Sequence, residues 1–139
     1  METLYGLSIS QPWLDMIVRG VKTMEIRTWP IKRRGIIALH APKKIDFGAA
    51  YFYGYQRPWV LPRFKIVAVA EIAEVLSLDG DSWQAFLEQH RQPLMVDGAY
   101  GARLANVRVL ERPVAYGGRL GLFPIAEDVA ERVRRFALL

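Results

Sequence analysis

The stretch from Lys65 to Leu78 is the longest run of strand-forming residues in the chain, and it constrains the fold more than any other feature. Apolar side chains fall on both of its faces, with Ile66, Ala68, Ala70 and Ile72 on one and Val67, Val69, Ala73 and Val75 on the other. This pattern predicts a strand that is buried on both sides. Glu71 shares the second face, so it is either a buried acid or a residue that a bend in the strand exposes.

Further strands and helices alternate along the chain. Strands are expected at 4–9, 22–29, 36–41, 100–116 and 120–125, and helices at 10–20, early in 47–64, at 82–90 and after 125. Five or six strands with helices between them predict an α+β fold with a small, strongly curved sheet or barrel. At 139 residues, with no linker or repeat, the chain is expected to form a single domain spanning 1–139.

Composition narrows the chemistry. The chain has no cysteine, which excludes disulfides, thiol catalysis and cysteine-ligated zinc, and its two histidines are His40 and His90. We therefore expect neither a metal nor a cofactor, and we expect His40 to be a structural residue at a strand end and His90 to lie on the surface. No signal-peptide pattern and no long apolar run is present, which favours a soluble, cytoplasmic protein with no membrane partner.

Positive charge is concentrated near the amino end. The 19–44 stretch holds eight lysines and arginines against one acid, Glu25, so it carries +7 of a chain whose net charge is +5. Clustered cations of this kind favour a polyanionic partner, because each neutralised phosphate releases counterions. The alternative is a solvated loop whose charges aid solubility.

The same stretch contains the strongest candidate site. A helix ending at Gly20 leads into a strand whose one face carries Glu25, Arg27 and Trp29, with Lys22 just before it. In a structural reading, Glu25 bridges Arg27 or Lys22 while the indoles pack in the core. In a functional reading, Lys22 and Arg27 hold phosphates, Glu25 accepts from a base or sugar, and Trp29 stacks on a base.

These motifs resemble a known family. Gln11-Pro12-Trp13, a helix, and then R-G-x-K-x-x-E-x-R-x-W over 19–29 are similar to the ASCH domain, named for homology to activating signal cointegrator and placed in the PUA-like superfamily. The 98–101 and 112–123 segments look like its closing strands. The resemblance implies a PUA-like β-barrel with helices at its openings and a cleft lined by the lysine, glutamate and arginine of the first motif.

The resemblance also implies RNA or nucleic-acid binding, with RNA the expected partner and DNA the alternative. Some small bacterial members are amidohydrolases of acetylated cytidine or ribonucleases. In this chain Glu25 stands where the amidohydrolases place a catalytic threonine, and Arg103 where many relatives carry tryptophan. Ligand-binding residues are expected at Gln11, Trp13, Lys22, Thr23, Glu25, Arg27, Trp29 and Arg103, with an electrostatic track at Lys32, Arg33, Arg34, Lys43 and Lys44.

Three functions remain open from the sequence. The first is a module that binds a flexible or single-stranded nucleotide, modified or not. The second is a small hydrolase, an amidohydrolase of an acylated nucleoside or a ribonuclease, with Lys22 as base and Glu25 as acid or water-orienting group. The third is an adaptor that presents the aromatic 47–64 segment to a protein. In that segment the aromatic residues either plug the edge of the core or form a lid over a site.

Overall fold

The computed structural model describes residues 2–139 and contains six strands and five helices within them. The strands are β1 (Tyr5–Ser8), β2 (Met24–Arg27), β3 (Gly35–Ala41), β4 (Lys65–Leu78), β5 (Ala99–Ala115) and β6 (Leu122–Pro124). The helices are α1 (Trp13–Val18), α2 (Phe47–Phe52), α3 (Gly80–Ala85), α4 (Leu87–His90) and α5 (Glu127–Phe136), with a 3₁₀ turn at Pro58–Val60. The α+β class expected from the sequence is confirmed.

All six strands form one mixed sheet in the order β2-β5-β4-β3-β1-β6. β1 runs parallel to β3, and the other neighbouring pairs are antiparallel. The end strands β2 and β6 do not pair with each other within residues 2–139, so the closed barrel expected from the sequence is not found. The sequence of 100–116 indicates a pair of extended segments, but the structure has one continuous strand there, β5.

The sheet nevertheless curls enough to bring its two ends together. Arg27 at the end of β2 donates from Nη2 to the main-chain oxygen of Ser8 in β1, 2.5 Å away, although three strands separate β2 from β1 in the sheet. Register shifts in β3–β4 and β4–β5 mark bulges, which increase local twist and bending. The curl positions a concavity between Ser8 and Arg27.

β4 is buried on both faces only in its first half. Ile66 to Ala70 are buried, whereas Ala73 and Glu74 are exposed, so the expectation of two buried faces holds for part of the strand. The break follows a register shift between Val69 and Glu71. Glu71 is partly exposed and accepts a hydrogen bond from Asn106 Nδ2 at 3.1 Å, as expected for a residue at a bend.

Helices cover the sheet at three places. Leu14 and Ile17 of α1 join the largest core cluster, Ala130 and Val133 of α5 join a second, and Trp83 of α3 joins a third. α1 begins later than expected and has no side-chain cap from Ser10. Instead, the Gln11 side chain accepts a hydrogen bond from the Asp15 amide at 2.9 Å. No helix among residues 2–139 is long and apolar enough to cross a membrane.

Candidate functional site

A polar cleft of about 300 Å³ opens where β1, β2 and β3 end and the chain leaves the sheet. We define this polar cleft by Ser8, Ser10, Trp13, Glu25, Arg27 and Lys44, and it is completed by Pro42, Gln92, Leu120, Gly121 and Ile26. Two cations, one carboxylate, two hydroxyl groups and one indole therefore face a shared space. Of the four residues that the sequence places together, Lys22, Glu25, Arg27 and Trp29, only Glu25 and Arg27 line this cleft among the described residues, and the indole in its wall is that of Trp13.

Glu25 lies at the centre of a charge cluster in the cleft wall. Its Oε2 accepts from Arg27 Nη2 at 2.8 Å, and its Oε1 lies 3.7 Å from Lys22 Nζ. The side chain of Glu25 is 8% exposed and that of Arg27 is 18% exposed, so the pair is shielded but still borders the cleft. The structural reading expects Glu25 to bridge Arg27 or Lys22, and the observed carboxylate contacts both. The cluster keeps one net positive charge while Lys22 is protonated.

Lys22 lies beneath the cleft rather than in it. It is fully buried, donates to the main-chain oxygen of His90 at 2.6 Å, and places Nζ 5.0 Å from the centre of the Trp13 ring. Burial lowers the pKa of Lys22 to about 8, against the opposing attraction of Glu25. Lys22 is therefore placed to hold Glu25 and Trp13 from behind, out of reach of a molecule in the cleft.

Trp13 provides the aromatic wall of the cleft. Its indole Nε1 donates to Asp46 Oδ2 at 3.2 Å, and Tyr53 forms a T-shaped pair with it, with ring centres 5.8 Å apart. Together with Lys22 on its face, these contacts fix the ring, which also packs partly on the main core. A fixed and half-buried indole is a preorganised stacking surface.

Ser8 is held by a buried histidine. Its Oγ lies 2.9 Å from His40 Nδ1 and 2.7 Å from the main-chain oxygen of Arg119, and its single hydrogen is donated to one of these two acceptors. His40 Nε2 lies 2.6 Å from the Tyr116 carbonyl, which can only accept, so Nε2 carries the hydrogen. Burial lowers the pKa of His40. These contacts agree with the structural role expected for His40.

Besides Lys22, four of the expected ligand-binding residues lie outside the cleft. Gln11 is buried and donates to the Pro62 carbonyl at 3.0 Å, and Thr23 is exposed beside the start of β2. Trp29 lies beyond the end of β2 and packs on the core behind Gly121. Arg103 pairs with Glu74 at 2.8 Å on the exposed side of β5. None of these residues lines the polar cleft.

The electrostatic track divides into two places. Lys44 lines the polar cleft, and Lys43 next to it does not. Lys32, Arg33 and Arg34 instead line a separate concavity of about 800 Å³ together with Arg134, which we call the basic recess. The basic recess also borders Leu4 and Gly35, the opposite ends of β1 and β3 from the cleft.

The surface position expected for His90 is wrong. His90 is completely buried, its Nε2 donates to the Trp83 carbonyl at 2.9 Å, and its Nδ1 accepts from the Gln92 amide at 2.9 Å. The two helices α3 and α4 replace the single expected helix, and this break turns His90 inward. Burial lowers the pKa of His90, and the neighbouring Lys22 charge lowers it further.

Sequence reasoning missed Ser8, Ser10 and Gln92. The two serines alternate around Ile9 and so share one side of an extended segment, a signal that was available but not used. Gln92 follows α4 in a stretch without regular structure and gives no local signal. No group of three His, Cys, Asp or Glu side chains within residues 2–139 could hold a metal ion.

A curled mixed sheet covered by helices, with a polar cleft beside its first strand, defines an α+β domain, and known structures share its fold. The crystal structure of ASCH from Zymomonas mobilis matches with a TM-score of 0.65 at 13% identity, covering 94% of this chain and 93% of that one. A serine-to-alanine mutant of the same protein gives 0.64 at 13% identity, over 94% of each chain. Its tyrosine-to-phenylalanine mutant gives 0.64 at 12% identity, over 96% and 98%.

The family model of the ASCH domain matches residues 7–116, and the chain therefore belongs to the ASCH domain family. The matched range includes every residue that defines the polar cleft. No curated protein matches the chain significantly. At 12 to 13% identity, the solved structures show a common fold and leave the function to be argued from the site.

Proposed function

We propose that this ASCH domain, of PUA-like type, binds flexible or single-stranded RNA and that the polar cleft receives one nucleotide of it. The observation that carries the proposal is the convergence of Arg27, Lys44, Glu25 and Trp13 on one space of about 300 Å³. That size lies at the lower end of ligand pockets, as expected for one nucleotide unit of a longer molecule. DNA is the alternative ligand.

Arg27 and Lys44 are suited to hold phosphate. The Arg27 Nη2 group is already engaged by Glu25 and Ser8, so the head group is fixed in direction. Its Nη1 forms no hydrogen bond with residues 2–139, and its Nε is buried without a partner among them. A guanidinium that is fixed in orientation and still has unused N–H donors is suited to bind a phosphate oxygen.

Glu25 and Trp13 are suited to the sugar and the base. Lys22 lies over one face of the Trp13 indole, and the base stacks on the part of the ring that borders the cleft. The carboxylate of Glu25 accepts hydrogen bonds from amino or hydroxyl groups, and a ribose 2′-hydroxyl is such a donor. Contact with that hydroxyl would make RNA preferred over DNA at this position.

Two neighbouring lysines give a direct test. Lys44 lines the cleft, whereas Lys43 is also exposed and lies outside it. Lys44→Glu and Lys43→Glu change the net charge by the same amount, so a difference between them reflects position. In fluorescence anisotropy with a labelled single-stranded RNA, Lys44→Glu should weaken binding at least about tenfold more than Lys43→Glu. Equal effects of the two substitutions, or no binding by the wild type at low salt, would contradict the proposal.

One observation favours a hydrolase as the second candidate. Burial lowers the pKa of Lys22 to about 8, which brings its neutral amine within reach of ordinary pH, next to a carboxylate in a cleft wall. Lys22 itself does not border the cleft, so Glu25 would have to contact the substrate or its water. Turnover of acylated cytidines and of RNA by wild type, Lys22→Ala and Glu25→Gln decides between the candidates. A hydrolase requires turnover by the wild type that both substitutions abolish.

A further inference from the structure

A second concavity, of about 360 Å³, adjoins the polar cleft and shares Trp13 and Gln92 with it. We call it the aromatic pocket and define it by Trp13, Phe52, Tyr53, Pro93, Leu94 and Asp46. Its walls are mostly apolar, and Asp46 is the only charged side chain among them. The two concavities therefore present different chemistry on either side of one common indole.

The walls of the aromatic pocket are fixed by contacts that also shape the cleft. Asp46 caps α2 by accepting from the Ala49 amide at 3.0 Å with Oδ1, while Oδ2 accepts from Trp13. Tyr53 forms T-shaped pairs with both Trp13 and Phe52, and the ring centres of Tyr53 and Phe52 are 4.9 Å apart. The Tyr53 hydroxyl donates to the Arg91 carbonyl and so joins α2 to the opposite wall.

The chemistry of the pocket selects a neutral and flat occupant. Both carboxylate oxygens of Asp46 already accept hydrogen bonds, and their negative charge disfavours a phosphate. Phe52 is 69% exposed and Leu94 is 81% exposed, so large apolar surfaces border the pocket without cover. A base bound in the pocket would cover part of the apolar surface of both side chains.

We infer that the aromatic pocket receives the base next to the nucleotide held in the polar cleft, so that the recognised unit is a dinucleotide. The inference rests on the proposed function, because it takes the cleft to hold the first nucleotide. Continuity through Trp13 supplies the argument, since two concavities that share a wall can be occupied by adjacent units of one strand. Base stacking on aromatic residues is the usual means of holding flexible RNA.

The test compares three probes on the full chain by isothermal titration calorimetry. These are cytidine 5′-monophosphate, the 5′-phosphorylated dinucleotide of cytidine and adenosine, and the same dinucleotide with an abasic second sugar. The complete dinucleotide should bind about 5- to 100-fold more tightly than the monophosphate, and the abasic form should lose that gain. A dinucleotide that binds no more tightly than the monophosphate overturns the inference and leaves the proposed function standing.

Variants locate the gain. Phe52→Ala combined with Leu94→Ala should abolish the difference between dinucleotide and monophosphate while leaving monophosphate binding unchanged, and both side chains are exposed enough for the fold to tolerate their loss. Phe47→Ala combined with Tyr51→Ala is the matched control, because these exposed residues of α2 stack on each other outside the pocket.

Three outcomes of the variants are informative. The inference is supported if the dinucleotide keeps its advantage over the monophosphate in the Phe47/Tyr51 control and loses it in the Phe52/Leu94 variant. It is overturned if both variants lose the advantage equally, or if the Phe52/Leu94 variant keeps it. Failure of all three probes to bind the wild type overturns the proposed function and the inference with it. A fourth probe, cytidine 5′-monophosphate carrying an acyl chain, tests the alternative occupant. If it binds more tightly than the dinucleotide, the pocket holds an acyl group and the inference is overturned.

Discussion

Arg27 Nη2 lies 2.8 Å from Glu25 Oε2, and this shielded ion pair links the wall of the cleft to the buried Lys22 behind it. Glu25 fixes the position of the Arg27 guanidinium, and the buried Lys22 in turn fixes Glu25. Removal of the central carboxylate would leave two cations in a shielded position, which costs far more than removal of an exposed charge.

The first prediction concerns the stability of this cluster. Glu25→Gln should lower the free energy of unfolding at pH 7 by about 3 kcal/mol, because Lys22 and Arg27 lose their counterion. Glu74→Gln breaks the half-exposed pair with Arg103 and should cost less than about 1 kcal/mol. Urea unfolding of both variants measures the difference, and comparable losses would show that the Glu25 cluster is no more shielded than the surface pair.

The second prediction concerns alkaline pH. The pKa of Lys22 is about 8 in the folded protein and 10.5 in the unfolded chain, so between these values the unfolded state binds more protons. Stability contributed at this site therefore rises as the pH increases from about 8 towards 10.5, by an amount on the order of 1–3 kcal/mol.

A comparison with Lys22→Met isolates this effect, since the variant lacks the titrating amine. The stability of the wild type relative to Lys22→Met should increase between pH 8 and pH 10 in urea unfolding series. A difference that stays constant over that interval would mean that Lys22 keeps an ordinary pKa in the folded protein.

The third prediction concerns the basic recess. Reversal of Lys32, Arg33 and Arg34 to glutamate should flatten the salt dependence of binding to a long single-stranded RNA, with a loss of about 0.7 in logarithmic slope per phosphate contact. Binding of cytidine 5′-monophosphate should not change, because the recess lies at the other end of β1 from the cleft.

A triple reversal of Arg57, Arg112 and Arg132 is the control, since these exposed arginines line neither concavity. If the salt dependence of RNA binding falls equally in both triple variants, the effect comes from net charge, and the basic recess does not contact the RNA.

The fourth prediction concerns the segment that holds Ser8 and His40. Gly118 has φ +70°, and a Cβ there would overlap the His40 imidazole, whereas a Cβ at Gly117 meets nothing within 4 Å. Gly118→Ala should therefore lower the free energy of unfolding by about 2–4 kcal/mol and Gly117→Ala by less than about 1 kcal/mol. Thermal unfolding of the two variants provides the measurement, and similar losses would contradict the close packing of His40.

Much of the fold was predictable because it depends on local patterns. The alternation in β2, the long apolar run of β4, the glycine after α1 and the acidic start of α5 each indicate one element from its own residues. The burial of His90 was not predictable from its own helix. Its ring bonds to the Trp83 carbonyl and its carbonyl accepts from Lys22, and no local pattern specifies these contacts or the division into α3 and α4.

The sequence predicted the charged pair of the polar cleft better than the aromatic and lysine residues around it. Glu25 and Arg27 are two residues apart on one strand, so their pairing follows from strand geometry. Trp29 would continue that row only if β2 continued, but the strand ends at Arg27, and the aromatic wall comes from Trp13 instead. The separation of Lys44 from Lys32 depends on the direction of β3, which no local pattern specifies.

The central claim is that a nucleotide sits between Trp13 and Arg27 in the polar cleft. A ¹⁵N NMR titration with cytidine 5′-monophosphate observes both side chains directly, through the indole Nε1–H of Trp13 and the Nε–H of Arg27. The account predicts that these two signals move with a common saturation curve, while the indole signals of exposed Trp59 and of core residue Trp83 stay in place. Saturable shifts confined to the basic recess, or no saturable shift at all, would contradict it.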